Sequence, residues 1–325
     1  MKKILIDTDC GVDDAIAIMM ALASNRVDLV GITTVSGNTY VNQVTDNVLR
    51  LLTYLGRGDV PVFKGAHVPL VAKPHTGERI HGKNGLGDVE LPGTEKREEK
   101  MSAPEAIFEM ARNNPGITVV TIGPLTNVAM ALNLFPELKK LVSGIVSMGG
   151  ALYTGNVTRF AEFNFFFDPE AAQFVFESGI PMSIVPWDPI VKEPFGEEEL
   201  RKVFSSPSAS VSSNGEGEKK ARSGGDENPS GRAVKFFFDV QQVTMGHIEK
   251  FYGVRATMLP DPAAMAYVIE ETAAKQKIRG SLRMELNYNT LRGASVLGDG
   301  HGMEIVTEID RDVLLGLLAG ISRLG

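Results

Sequence analysis

Ile4-Leu5-Ile6-Asp7-Thr8-Asp9-Cys10-Gly11-Val12-Asp13-Asp14-Ala15-Ile16-Ala17-Ile18 decides how the rest of this chain is read. Ile4, Leu5 and Ile6 make a short apolar run of the kind that forms a buried strand. Asp7, Thr8 and Asp9 follow at its end, and Gly11 lets the backbone turn sharply. From Asp13 onward Ile16, Met19, Met20 and Leu22 recur at helical spacing, so a helix begins there. Asp7, Asp9, Asp13 and Asp14 therefore crowd one strand-to-helix turn. Carboxylates held that close repel one another and resist ionisation. A helix N-terminus offsets part of the repulsion, and a hard divalent cation offsets far more. A single aspartate here would be a helix cap. Four of them at the C-terminal end of a strand, where open α/β sheets bind ligands, point to a metal site.

Composition narrows the classes. The chain has 325 residues, 43% of them hydrophobic, enough for one large domain with a sizeable core. A net charge of −7 argues against binding polymeric nucleic acid through its phosphates; a nucleoside, which has no phosphate, stays open. Cys10 is the only cysteine, so neither a disulfide nor a cysteine zinc site is expected, and a reducing, cytoplasmic setting fits. Met1-Lys2-Lys3 precedes too short an apolar run for a signal peptide, and no apolar run approaches membrane-spanning length.

Outward from the first strand, short apolar runs alternate with helical periodicity. Strands are expected at 27–35, 60–63, 117–122, 141–148 and 180–185. Helices are expected at 42–55, 102–111, 124–134, 168–177, 233–251, 259–270 and 310–321. Ser102 and Glu105 read as a capping box. Antiparallel strands are expected within 282–309. This rhythm gives βαβ units and a mostly parallel sheet in one domain spanning 1–325. Two segments stand apart. Residues 80–87, with three glycines around His81, read as a mobile surface loop, and 205–232 as a flexible low-complexity insertion.

Several small polar motifs fall where strands end: Asp9, Asn38, Asn127, Gly149-Gly150 and Asp188. Parallel strands share a C-terminal edge, so these are expected to converge on one pocket. Glu162 and Asn164 flank Phe163, and in an extended segment they would point the same way. A carboxylate beside an amide suits a sugar's hydroxyls. Trp187 reads as core, His81 as exposed, and His247 as part of a solvated helix face. Cys10 has no positive neighbour that would make it a nucleophile.

With these motifs in place, the chain resembles the nucleoside hydrolases, the inosine–uridine-preferring N-ribohydrolases. Residues 7–15 are close to the family's DTDxGxDDA signature. Gly37-Asn38, His81-Gly82, residues 123–127, Met148-Gly149-Gly150, Asn156 and Glu162-Phe163-Asn164 fall in family order. The resemblance covers almost the whole chain outside 205–232. It implies a Rossmann-like α/β fold, a mostly parallel mixed sheet flanked by helices. It implies Ca2+-dependent hydrolysis of ribonucleosides to base and ribose, in salvage or catabolism, by a homodimer or homotetramer. It implies an ion held by Asp9, Asp14, Asp261 and the carbonyl near Ile122, with the ion also binding the ribose 2′- and 3′-hydroxyls and the attacking water. Asp9 would be the general base. Asp13, Asn38, Asn156, Glu162 and Asn164 would hold the ribose, with Met148 and His81 also at the substrate. Clustered carboxylates suit the positive charge that develops on a departing sugar. One position departs from the pattern: many relatives carry a histidine before the last metal aspartate to protonate the leaving base, and here it is Pro260. Two other readings are a haloacid-dehalogenase-like phosphatase, from Asp-x-Asp after a strand plus Gly298-Asp299-Gly300 in an expected hairpin turn, and a nucleoside-binding protein without catalysis.

Overall fold

The computed structural model describes residues 1–74, 76–192, 194–205 and 229–324. Most of the segment expected to be a flexible insertion, 206–228, lies outside the described residues.

Strand β1 (Lys2–Thr8) leads into helix α1 (Val12–Ala23), β2 (Val27–Thr34), α2 (Val41–Tyr54) and β3 (Val62–Lys64). A short helix α3 (Glu78–His81) precedes α4 (Ala103–Asn113), β4 (Ile117–Thr121), α5 (Thr126–Leu134) and β5 (Val142–Met148). Then come α6 (Phe163–Phe167), α7 (Pro169–Phe176), β6 (Met182–Val185), α8 (Asp188–Val191), β7 (Phe195–Gly196) and α9 (Glu197–Ser205). The chain ends with α10 (Pro229–Tyr252), β8 (Ala256–Thr257), α11 (Pro260–Ile269), β9 (Ala274–Met284), β10 (Ser295–Ile309) and α12 (Arg311–Ala319).

Eight strands form one sheet in the order β3-β2-β1-β4-β5-β6-β10-β9. All neighbours are parallel except β9 and β10, so the sheet is mixed and mostly parallel. Chain order reverses at β1, which has β2 on one side and β4 on the other. That is the switch point at which doubly wound sheets open a crevice for ligands.

Alternation along β1 splits the core into two layers. Ile4 and Ile6 pack with α1, α2, α10 and α11, while Leu5 packs with α4, α5 and α7 on the opposite face. Burial on both faces explains why the strand reads as an unbroken apolar run. At α4 the capping box forms as expected: the backbone N–H of Ser102 donates to Oε2 of Glu105 at 3.0 Å. Among the described residues no helix is long and apolar enough to cross a membrane.

Some expectations are corrected. Gly298-Asp299-Gly300 lies inside β10, not in a hairpin turn; the β9–β10 connection falls at 285–294. The antiparallel pair starts at Ala274, before the expected 282. Residues 80–87 are tied down. His81 ends α3, Leu86 is buried, and the Asn84 side chain accepts from the amides of Leu86 and Asp88 while donating to the carbonyl of Val89.

Candidate active site

At the C-terminal end of β1 the turn is made differently from the sequence reading. Gly11 is extended, with φ −81° and ψ −169°, and the residue in left-handed conformation is Cys10, at φ 36°. Glycine is required at 11 for space: a Cβ there would run into the Asn38 amide and His81 Nδ1. Gly37 faces the same constraint, since a Cβ would land on the Asp9 carboxylate.

The four aspartates of this turn divide between two places. Asp7 points to the α5 side of the sheet, where Asn127 Nδ2 donates to its Oδ1 at 2.8 Å and Thr33 Oγ1 at 2.6 Å. Burial pushes its carboxyl up to about 7. Asn127 is thus a prop under the sheet's edge rather than part of the pocket. Asp188 is likewise structural: its oxygens accept from the amides of Leu152, Tyr153 and Thr154.

Asp9, Asp13 and Asp14 stay on the crevice side and meet Asp261, which lies in the first turn of α11. Pro260 opens that helix, where its missing N–H costs nothing. Carboxylate oxygens of Asp13, Asp14 and Asp261 lie within 4.8 Å of one another. Asp9 sits beneath them: its Oδ2 accepts from the Asn38 amide at 2.7 Å, while its Oδ1 is buried with no hydrogen-bond partner. Asp13 Oδ1 is also buried and unpartnered. Burial pushes Asp13 up to about 6. It does the same for Asp14, aided by the Asp13 charge. Asp261 is raised well above the carboxylate range by burial and by the charge of Asp13. Asp9 is raised by burial and by Asp14.

Such a cluster is costly by itself. Unpaired buried carboxylate oxygens lack solvation and repel one another. A hard divalent cation removes both penalties, and an all-oxygen donor set is what such an ion takes. The residues present therefore fit a bound divalent metal.

Above the cluster opens a cleft of about 440 Å³. It brings together Asp13, Asn38, His81, Ile122, Met148, Asn156, Glu162, Asn164 and Asp261, residues from all parts of the chain. Asp9 and Asp14 are fully buried and do not line the cleft themselves; Asp13 and Asp261 bring the cluster to it. Glu162 and Asn164 do not lie on an extended segment as expected. Glu162 is the N-cap of α6, accepting from the amides of Asn164 and Phe165, and also from Gly150. Burial raises its carboxyl to about 7. Asn164 Nδ2 reaches the carbonyls of Ile122 at 3.3 Å and Met148 at 3.2 Å. Asn156 Oδ1 accepts from the Phe163 amide.

His81 and His247 both line the cleft, correcting the expectation of an exposed loop and a solvated helix face. His81 Nδ1 accepts the Val12 N–H at 3.2 Å, and burial holds its ring down to about 4, so it is neutral near pH 7. Trp187 packs against the core and also lines the cleft. Cys10 is fully buried and its thiol is pushed up by burial, which agrees with an inert thiol.

The sequence reading missed Thr8, whose hydroxyl holds Asp14, and Gln241 and Thr244 of α10. The signal for Gln241 was a polar residue on the stripe that carries Phe237, Val240 and Ile248 into the interior. A second cleft, about 630 Å³, opens at the opposite edge of the sheet, beside Lys2, Thr118 and Met182. Its acids Glu271 and Glu304 are tied to Lys277, so it offers no carboxylate cluster.

Fold and cleft together define an α/β protein with a cleft over a carboxylate cluster at the switch point of its sheet. Comparison with known proteins gives the family. The model of the inosine-uridine preferring nucleoside hydrolases matches residues 4–315, and the chain belongs to that family. It is 32% identical to a pyrimidine-specific ribonucleoside hydrolase RihA of Shewanella woodyi, over 98% of this chain and 97% of that one. A probable uridine nucleosidase 2 of Arabidopsis thaliana is 47% identical over 55% of this chain and 56% of its own length. An uncharacterised protein of Schizosaccharomyces pombe is also 47% identical, over 57% of this chain and 61% of that protein. These two matches thus span less than two thirds of the relatives' lengths. Among solved structures, a purine-preferring ribonucleoside hydrolase from Gardnerella vaginalis superposes with a TM-score of 0.85 at 28% identity, covering 99% of both chains. Family membership sets aside the phosphatase reading.

Proposed function

We propose that this chain is a Ca2+-dependent ribonucleoside hydrolase, cleaving the N-glycosidic bond to give free base and ribose. The observation that carries the reading is the meeting of Asp9, Asp13, Asp14 and Asp261 under a cleft walled by Glu162, Asn164 and Asn156. Family membership supports the activity. In this reading Asp9, Asp14, Asp261 and the Ile122 carbonyl would hold the ion, with Asp13 beside them. A bound divalent ion supplies charge that acidifies water and grips vicinal hydroxyls.

The chain's own residues do the rest. Asp9 Oδ1, buried and unpartnered, takes the proton from the attacking water. Asp13, Asn38, Asn156, Glu162 and Asn164 orient the ribose. Clustered negative charge stabilises the oxocarbenium-like sugar as the bond from C1′ to the base nitrogen breaks and water oxygen bonds to C1′; the bond's electron pair leaves on the base nitrogen, which takes a proton from solvent. Met148 and His81 border the substrate. The chain acts on small nucleosides in salvage or catabolism, within the cytoplasm, as a homodimer or homotetramer. A second reading, a nucleoside-binding protein without turnover, is favoured by one observation: Pro260 stands where many relatives have their acid.

Reducing-sugar release from a panel of purine and pyrimidine nucleosides, with Ca2+ and after exhaustive chelation, tests both. Release that vanishes on chelation and returns with Ca2+ supports the first reading. Ligand binding with no release supports the second.

A further inference from the structure

Resting on the hydrolase reading, we propose that Gln241 selects the base, and that it favours bases presenting a carbonyl oxygen over bases presenting an amino group in the same place. Gln241 lies on α10, fully buried, and lines the cleft beside Trp187, Ile248 and Met258. Those three give an apolar wall suited to the flat face of a heterocycle. Among the described residues, Nε2 of Gln241 is the only buried side-chain nitrogen with no hydrogen-bond partner.

Its orientation is set from behind. The Thr257 hydroxyl donates to Oε1 of Gln241 at 2.5 Å; the alternative acceptor, the Met258 carbonyl, is farther away at 3.3 Å. With Oε1 engaged, the amide can offer the cleft only N–H donors. A buried donor left unpaired is costly, so an incoming acceptor is favoured and an incoming donor is penalised. Uracil and hypoxanthine present an oxo group where cytosine and adenine present an amino group. The second pair sets N–H against N–H. Thr257 lies outside the cleft lining and is a positioning residue: without its hydroxyl the amide is free to turn and offer Oε1 instead.

The test is kcat/KM for uridine against cytidine and inosine against adenosine, together with dissociation constants for uridine and cytidine by calorimetry. The wild type is expected to favour the oxo member of each pair by about ten- to a hundredfold. Thr257→Val should compress the ratio to within about threefold, Thr257→Ser should retain it, and Gln241→Glu should reverse it. Equal treatment of oxo and amino bases, a wild-type preference for amino bases, or a Thr257→Val ratio equal to wild type overturns the proposal. Hydrolysis of p-nitrophenyl riboside, whose leaving group offers neither oxo nor amino group, reads the ribohydrolase chemistry separately. If it is inert together with all nucleosides, the hydrolase reading fails, while the two dissociation constants still decide the role of Gln241.

Discussion

The hydroxyl of Thr8 donates to Oδ1 of Asp14 across 2.5 Å, inside the turn that carries the acidic cluster. The Gly11 amide and the Asn38 side chain bind the other oxygen, at 2.8 and 3.1 Å. Asp14 is therefore aimed before any ligand arrives. Thr8→Val removes one of these bonds at nearly constant volume. Supports of this kind typically contribute ten- to a hundredfold in metal affinity. Calorimetric titration with Ca2+ should show a weakening of about tenfold; an unchanged dissociation constant would remove Thr8 from the site.

Gly37 tests the close packing beneath Asp9. A Cβ at 37 meets the Asp9 carboxylate, which is itself held by the Asn38 amide. Gly37→Ala must push one of the two aside, at a cost of about 1–3 kcal/mol. A lower melting temperature and weakened Ca2+ binding are expected. A variant with wild-type melting and affinity would show that the strand end yields freely.

Asp261 should behave oppositely in the two ligation states. It is buried among Asp13, Asp14 and Asp9, whose charges raise it further. Asp261→Asn relieves that repulsion but deletes a charged ligand. In chelator the variant should melt higher than wild type, and in excess Ca2+ it should melt lower and lack activity. If the two proteins melt alike under both conditions, Asp261 does not belong to the cluster's charge balance.

Glu162 gives the pH dependence. Its carboxyl rises from the ordinary 4.5 to about 7 because it is buried. A folded value above the unfolded one means that protonation favours the native state. That contribution is fully present below about pH 4.5 and is lost as pH climbs through about 7; the shift corresponds to roughly 3–4 kcal/mol. Function has the opposite sign, since accepting a ribose hydroxyl requires the carboxylate. For Ca2+-loaded protein, kcat/KM should rise with pH to a plateau, with a midpoint between the ordinary 4.5 and about 7, since a bound cation favours the carboxylate. A flat profile between pH 5 and 8 would contradict the assignment.

Neither histidine of the cleft is expected to carry the leaving-group proton on an activated substrate. His81 is neutral, with Nδ1 occupied by the Val12 N–H. His81→Ala and His247→Ala should each lower kcat on p-nitrophenyl riboside by less than about tenfold, against the ~10²–10⁴-fold of a positioned acid. A steep loss of inosine cleavage in His247→Ala would make His247 the acid that Pro260 does not supply.

The sheet was legible because its strands are buried on both faces and so appear as apolar runs such as residues 4–6 and 117–122. The acidic cluster was legible because Asp9, Asp13 and Asp14 are neighbours in sequence. What sequence hid was direction. Asp7 and Asp9 look equivalent, yet Asp7 is still in β1 and faces Asn127 and Thr33, while Asp9 lies past the strand's end at Thr8, where the chain turns through Cys10 toward the crevice. Asn127 and Asp188 occur at strand ends like Asn38, but their partners are carboxylates and amides of the scaffold. The glycines around His81 suggested mobility, because the bonds that fix the segment come from Asn84 and Asn47, neither of which has a local pattern. Gln241 was hidden because its significance depends on Thr257, across a helix end and a turn.

Asp14 and Asp261 come from near opposite ends of the chain, and α1 lies against α11 where they meet. During synthesis the first aspartates leave the ribosome long before the last ligand exists. An emerging chain therefore carries an acidic turn without its closing residue, and capture of an ion by the full cluster would wait for α11. A truncated product ending before α11 would keep most of the parallel sheet and all of the signature turn, yet be unable to close the site. A divalent ion bound there would thus report that synthesis has passed α11, with β9, β10 and α12 still to follow.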